Sequence, residues 1–319
     1  MLKKIKRNIL ISLVITGIIY LGFSLYANFD KLVSVLAKFD WFLLPLLILL
    51  SLMNYFFRFL KWDYYLSILK IKIKKIDSFS IFTSGLIMSV TPGKMGELLK
   101  SYLVKEITLV PISTTAPIVL AERITDFVSL ILITLIGAYY FNYGREVVIG
   151  VGIFFILILI LLSNKTISFP ILSLLEKIPF LRKYISHIYN AYESSYQLLK
   201  PLPLFYMTIL SLISWSFECF GYHLILVNLH IEIGFLWAAF SYGFATIVGA
   251  ISMLPGGLGV TEGSLTFMLI KNNYPKDLAV ASTFIVRVVT LWLAVLVGIF
   301  SVTFYQKRFG KIKIETISN

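Results

Sequence analysis

A helix-breaking pattern, Pro-Gly-x-x-Gly, occurs twice inside apolar sequence, as Pro92-Gly93-Lys94-Met95-Gly96 and as Pro255-Gly256-Gly257-Leu258-Gly259. A glutamate stands just behind each one, Glu97 and Glu262. Arg123 lies 31 residues after Pro92 and Arg287 lies 32 after Pro255, both in strongly apolar stretches. Two breaks and two intramembrane cations at matched spacing predict a transporter built from two related halves.

The composition predicts a membrane setting. Hydrophobic residues make up 58% of the 319, charged residues 14%, and the mean hydropathy is +0.88, against about 45–50% apolar and about 25% charged in soluble chains. The net charge of +13 is scattered among apolar runs, which favours anionic lipid head groups over nucleic acid. Cys219 is the single cysteine, so no intramolecular disulfide forms. No Cys/His cluster has metal-ligand spacing, and no motif implies a cofactor. The basic start (Lys3, Lys4, Lys6, Arg7) precedes an apolar run long enough to span, and Leu25 is a poor residue three before a cut at Ala27. We expect a retained first helix.

Apolar segments of about 20 residues, the length that crosses a bilayer, fall near 8–27, 41–60, 114–141, 146–163, 203–227 and 278–305. The stretches 78–105 and 236–271 are apolar but broken by Pro-Gly. Each is predicted to be a re-entrant hairpin that returns to its own side, with irregular backbone covered by protein or facing a cavity. Residues 236–254 are long enough that a full crossing is the competing expectation. The predicted fold is therefore all-α and polytopic, with six spans and two broken hairpins in one membrane domain.

Counting Lys and Arg tests this layout. With a cytoplasmic amino terminus, 21 fall on the cytoplasmic side (segments 1–7, 58–105 without Lys94, 165–200 and 307–313) and five outside (Lys31, Lys38, Arg145, Lys271, Lys276). Both termini are then cytoplasmic. The halves 41–141 and 203–305 become inverted copies, whose breaks meet near the midplane. Between them, 165–200 has apolar residues at helical spacing (Leu174, Leu175, Ile178, Leu181, Ile185, Ile188, Tyr192, Tyr196), which predicts an interfacial amphipathic connector interrupted at Pro179. Residues Arg58 to Lys75 read as a cytoplasmic aromatic and basic collar.

The broken helices carry the predicted site. A helix amino terminus offers free N–H groups and partial positive charge, and Gly93, Gly96, Gly256, Gly257 and Gly259 let a ligand approach the backbone. Lys94, Arg123 and Arg287 would add charge for a phosphate, the arginines through their two-pronged geometry. The competing expectation is that the arginines neutralise carboxylates. Glu97, Glu122, Asp126 and Glu262 are candidates for ion pairing, proton relay or a cationic head group, with Glu122 and Asp126 on one helical face. Glu218 lies mid-span near His223, where a local polar contact is expected; His187 and His230 read as interface residues.

Thr91 through Glu97, the Glu122-Arg123-x-x-Asp126 segment, Leu254 through Gly259 with Glu262, and the late Arg287 together resemble the lysylphosphatidylglycerol synthase transmembrane, or flippase-like, family, over residues 8 to 305. In bifunctional members this region moves an aminoacylated phospholipid that a soluble domain makes. With the chain ending about a dozen residues after the last span, the resemblance implies translocation without aminoacyl transfer, and it leaves open whether lysylphosphatidylglycerol is the lipid. The expected activity is translocation of a phosphate-bearing lipid, not enzymatic catalysis. An intramembrane lipid-modifying enzyme lacks its motifs here: no His-Glu-x-x-His and no Gly-x-Ser-Gly is present. A small-anion transporter or channel could use the same hairpins. Oligomeric state is left open, a homo-oligomer included.

Overall fold

The computed structural model describes residues 2–91, 96–178, 180 and 182–310, with side chains from residue 14 onward. The expectations placed on Gly93, Lys94, Pro179, Leu181, the basic side chains of the first seven residues, and Lys311 and Lys313 lie outside the described residues. Among those described, the chain is all-α. Helix α1 (Leu2–Tyr26) is followed by the short α2 (Phe29–Lys38). The first half then runs α3 (Leu44–Ile68), α4 (Lys75–Gly85), a 3-10 turn Leu86–Val90, α5 (Leu99–Thr108) and α6 (Ile112–Tyr140). The exposed α7 (Arg145–Ser163), α8 (Lys165–Glu176) and α9 (Ile185–Leu198) connect it to the second half. That half comprises α10 (Pro201–Asn228), α11 (Phe235–Ile251), a 3-10 turn Pro255–Gly257, α12 (Val260–Lys271), α13 (Lys276–Arg287) and α14 (Leu293–Phe309).

Among the described residues, four helical stretches are long and apolar enough to cross a membrane: Trp41–Ile68, Arg145–Ser163, Pro201–Asn228 and Lys276–Phe309. The span predicted at 114–141 is the 29-residue α6, whose apolar run is interrupted by Glu122, Arg123 and Asp126. Helix α11 has 17 residues, a rise of about 25 Å, at the short end of the lengths that cross a hydrocarbon core of about 30 Å, so its length fits both the hairpin and the competing full crossing of 236–254. In α7 one face, with Ile149, Ile153, Ile156, Leu157 and Ile160, is exposed, while Phe155, Ile158 and Leu162 pack on the rest of the molecule; Val148 is its one fully buried residue.

The repeat is legible in the backbone. Helices α3 and α10 each end in a turn with a left-handed residue, Lys70 and His230, closed by the same two bonds, Lys70 N to Ser67 O and Ile71 N to Leu66 O in one and His230 N to Val227 O and Ile231 N to Leu226 O in the other. Further on, left-handed Leu109 and Asn273 precede prolines, Pro111 and Pro275, that start α6 and α13 with nearly identical dihedrals. Helices α3 and α10 run antiparallel: Asp40 at the start of one bonds Asn228 at the end of the other. They cross where Asn54 donates to the Ser214 carbonyl (2.9 Å) and Ser214 donates to the Asn54 carbonyl (3.3 Å). These reciprocal bonds join residues in equivalent places, 160 apart, which puts a local two-fold axis at the crossing.

The halves also exchange packing partners. Helix α6 of the first lies on α11 of the second, and α14 of the second lies on α4 of the first. Close approach at these crossings depends on small residues. A Cβ on Gly298 in α14 would stand 2.2 Å from the backbone N and 2.6 Å from the Cα of Ile87, atoms that cannot move without unseating the 3-10 turn. Gly298→Ala should therefore cost about 1–3 kcal/mol, read as a lower unfolding temperature in detergent. Gly22→Ala, with nothing within 4 Å of the added Cβ, should leave it unchanged.

Two expectations are corrected. In the collar at Arg58 to Lys75, Lys70, Lys72, Lys74 and Lys75 are exposed as expected, but the first part is core: α3 continues to Ile68, and Arg58, Lys61, Trp62 and Tyr65 are buried along it. Their side chains face the α6 carboxylates and α4 instead of water. The connector is not only a surface anchor, because α9 packs on α6 and buries Tyr192 and Leu198, while Leu174 and Ile178 of the preceding segment stay exposed.

Candidate functional site: a buried ionic cluster beside an amphiphilic cavity

After the first break, Glu97 is buried with three cations around its carboxylate: Arg123 Nη2 at 3.1 Å, Lys100 Nζ at 3.6 Å and Arg58 Nη2 at 3.8 Å. Lys100 also pairs with Glu122, and its ammonium lies over the Trp62 ring, 4.9 Å from the centroid. One turn further along α6, Asp126 accepts from Lys61 (2.7 Å) and Ser211 (3.0 Å) and sits 3.4 Å from Arg123 Nη2. Lys61 bonds Ser211 as well. The spacing Glu122, Arg123, Asp126 on one helix thus serves cations from two other elements, α3 and α5.

The second half has its own pair. Arg287 ends α13, where a π turn, Val288–Trp292, begins. Its Nε donates to Glu262 (2.6 Å) and its Nη2 to the Gly256 carbonyl (2.6 Å), tying the helix to the second break. Glu262, wholly buried, spends its other oxygen on Gly259 N (2.7 Å). That bond caps α12, so the Gly259 N–H is taken by protein. Arg123 with Glu97 and Arg287 with Glu262 are the same device in the two halves, as their matched sequence places suggest.

A cavity of about 610 Å³ lies against both. Its charged lining is Arg58, Arg123, Asp126, Glu218 and Arg287, with Tyr55, Trp215 and Tyr242 beside them. Phe127, Phe154 and Phe155 form an apolar wall, and exposed Ile251 and Met253 show that it reaches the molecular surface. Tyr242 donates to Glu218 (2.7 Å), and Tyr55 to the carbonyl of Thr290 in the π turn (2.7 Å). Within the cluster, five cations (Arg58, Lys61, Lys100, Arg123, Arg287) stand against five carboxylates (Glu97, Glu122, Asp126, Glu218, Glu262), so the described charges balance and the cost of burying each is offset by a neighbour.

Of the predicted substrate residues, Arg123, Arg287, Gly256 and Gly257 line the cavity. Gly96 and Gly259 do not, which corrects their expected role. Gly96 faces Met88 and Thr91, where a Cβ would come within 2.7 Å, and Gly259 holds a left-handed turn with φ +82°. Glu97, Glu122 and Glu262 sit behind the lining as ion-pair partners, and Asp126 is the one of the four carboxylates that reaches the cavity. Glu218 makes its expected polar contact with Tyr242 rather than with His223, whose ring lies edge-on to Phe235. His187 meets Ser113. Among the described residues no cluster suits a metal ion. Sequence reasoning missed Arg58, Lys61 and Lys100 by assigning them to a cytoplasmic face. Their signal was present: Arg58 and Lys61 continue the apolar α3 run at a spacing of three, among Tyr55, Phe59, Trp62 and Tyr65.

The fold and the site define a polytopic α-helical membrane protein whose buried ions face an amphiphilic cavity. The family described as the lysylphosphatidylglycerol synthase TM region matches residues 9–298, and the chain belongs to it. Similar proteins include a UPF0104 membrane protein of Methanocaldococcus jannaschii, 29% identical over 224 residues that cover 69% of this chain and 93% of the relative. A second from that organism is 21% identical over 330 residues (95% and 96%), and one from Pyrococcus horikoshii is 22% identical over 321 (92% and 95%).

Proposed function

We propose that this chain is a lipid translocase, not an enzyme, that moves a phosphate-bearing lipid between leaflets with its head group in the cavity. The observation that carries the reading is the shape of that cavity: charged groups on one side, aromatic groups on the other, and an opening beside the outward-facing α7. A lipid has the same division. At about 610 Å³ the space suits a head group and the first part of its chains, while the remainder stays in the bilayer. The cluster carboxylates are engaged by cations or by a tyrosine hydroxyl, which suits binding better than general-base chemistry. In this reading both termini are cytoplasmic and the two breaks enter from opposite faces, an arrangement that agrees with the antiparallel α3 and α10. Removing Arg58, Lys61 and Lys100 from the cytoplasmic count still leaves the basic excess on that side.

Purified protein in liposomes with labelled phospholipid is the test. Leaflet exchange above that of empty liposomes is the expected result. Ion current without exchange, or a chemically altered lipid, would replace the proposal by a channel or an enzyme.

A further inference from the structure

Arg58 is the least satisfied cation in the cluster. Its side chain is 9% exposed and lines the cavity, yet among the described residues its one polar contact is the 3.8 Å approach to Glu97. No hydrogen bond joins its five N–H groups to a described residue, although a buried guanidinium needs acceptors. Two buried donors on residues that line the same cavity are also without acceptors: Arg123 Nε, and the indole N–H of Trp215, a residue 5% exposed. By contrast Arg287 is committed to Glu262 and the Gly256 carbonyl. Unused donors thus belong to three residues that line the cavity, Arg58 and Arg123 of the first half and Trp215 of the second.

The two arginines there flank one carboxylate. Arg58 approaches Glu97 Oε1 and Arg123 approaches Oε2, so their guanidinium groups are neighbours and Glu97 holds like charges together. We propose that Arg58, Arg123 and the Trp215 N–H form the subsite for the phosphate of the translocated lipid, with Glu97 the resting counterion that the phosphate replaces. The inference rests on the translocase reading and gives it a recognition site. A phosphate oxygen accepts from both forks, as a carboxylate does, and has further oxygens for the indole. When phosphate takes over the arginines, Glu97 keeps Lys100 and is not stranded. Asp126 Oδ2, the carboxylate oxygen on this side, stays on Arg123 at 3.4 Å and disfavours a second anion.

Binding is measured on the full chain in detergent with three probes: phosphatidate, diacylglycerol of the same acyl chains, and inorganic phosphate. Wild type should prefer phosphatidate to diacylglycerol by roughly tenfold or more, and inorganic phosphate alone should compete weakly. Arg58→Gln should remove most of that preference and leave diacylglycerol binding unchanged. Arg58→Lys should restore part of it, since charge returns without the fork. Trp215→Phe, which keeps a ring and loses one N–H, should weaken phosphatidate severalfold; it decides the matter if Arg58→Gln does not fold. Equal affinity of wild type for the two lipids overturns the subsite, as does wild-type phosphatidate binding in Trp215→Phe together with either Arg58 variant. Competition by inorganic phosphate at the lipid's own affinity would make it a site for a soluble anion. Leaflet exchange measured in parallel separates the two ideas: exchange with unaltered variants sinks the subsite alone, and phosphate-selective binding without exchange sinks the translocase alone.

Discussion

Arg287→Leu should unfold the protein, not merely silence it. The guanidinium is nine-tenths buried, the Glu262 side chain is wholly so, and they meet at 2.6 Å. The second nitrogen holds the Gly256 carbonyl at the break, where Gly256 and Gly257 are both left-handed. Removing the arginine strands the wholly buried Glu262 charge and unties the turn at the break. Breaking one partner of such a pair costs about 3–5 kcal/mol, a large share of the 5–15 kcal/mol typical of folded proteins. Removing both charges in Arg287→Leu/Glu262→Leu should recover part of that, less the Gly259 cap. Arg123→Leu should behave differently. Arg123 is 18% exposed, and its partners keep other cations, Lys100 and Arg58 on Glu97 and Lys61 on Asp126, so its variant should stay folded and lose lipid binding. Unfolding midpoints in detergent, read beside binding, separate the two arginines; a normally folded, inactive Arg287→Leu would make that pair functional instead.

Lys61→Met should be nearly as damaging, a result no basic-collar reading of 58–75 would allow. Lys61 is 1% exposed and neutralises Asp126 at 2.7 Å, while Ser211 of α10 bonds both. The contact therefore ties α3, α6 and α10 together at one point. Methionine fills the space but leaves Asp126 with the Ser211 hydroxyl and, as its one ion-pair partner, Arg123 at 3.4 Å, and a loss of about 3 kcal/mol is expected. Lys61→Met/Asp126→Leu should regain stability, because the buried pair then disappears as a whole. In contrast, Lys72→Met in the turn after α3 should do nothing measurable to the midpoint. Should Lys61→Met and Lys72→Met prove alike, Lys61 is in contact with water and the ionic cluster ends at Arg58.

Much of the fold is legible in the chain because the bilayer imposes a one-dimensional rule: apolar runs must be helical and about 20 residues long. The long helices, the break at residues 254–259 and the matched places of Arg123 and Arg287 follow from local composition and spacing, whereas their pairing with glutamates was one of two expectations the sequence allowed. Assignment of Arg58, Lys61 and Lys100 did not, since a cation near a span end reads as a surface charge unless its partners are known, and those partners are Glu97 and the α6 carboxylates Glu122 and Asp126, up to 65 residues away. The glycines divide for a similar reason. Gly256 and Gly257 line the cavity, whereas Gly96 and Gly259 serve packing and a turn, a distinction set by which neighbours the fold brings within a few ångströms.

By itself the sequence determined an all-helical membrane protein with two broken, related halves and ions inside it, because helix breaking, span length and the cost of intramembrane charge are properties of short segments. Which ions face one another, and which are left with donors to offer a ligand, was decided only when α3, α6 and α10 came together. Hydrogen bonds and close ion pairs need partners within about 3–4 Å, and most of those contacts join helices distant in the chain.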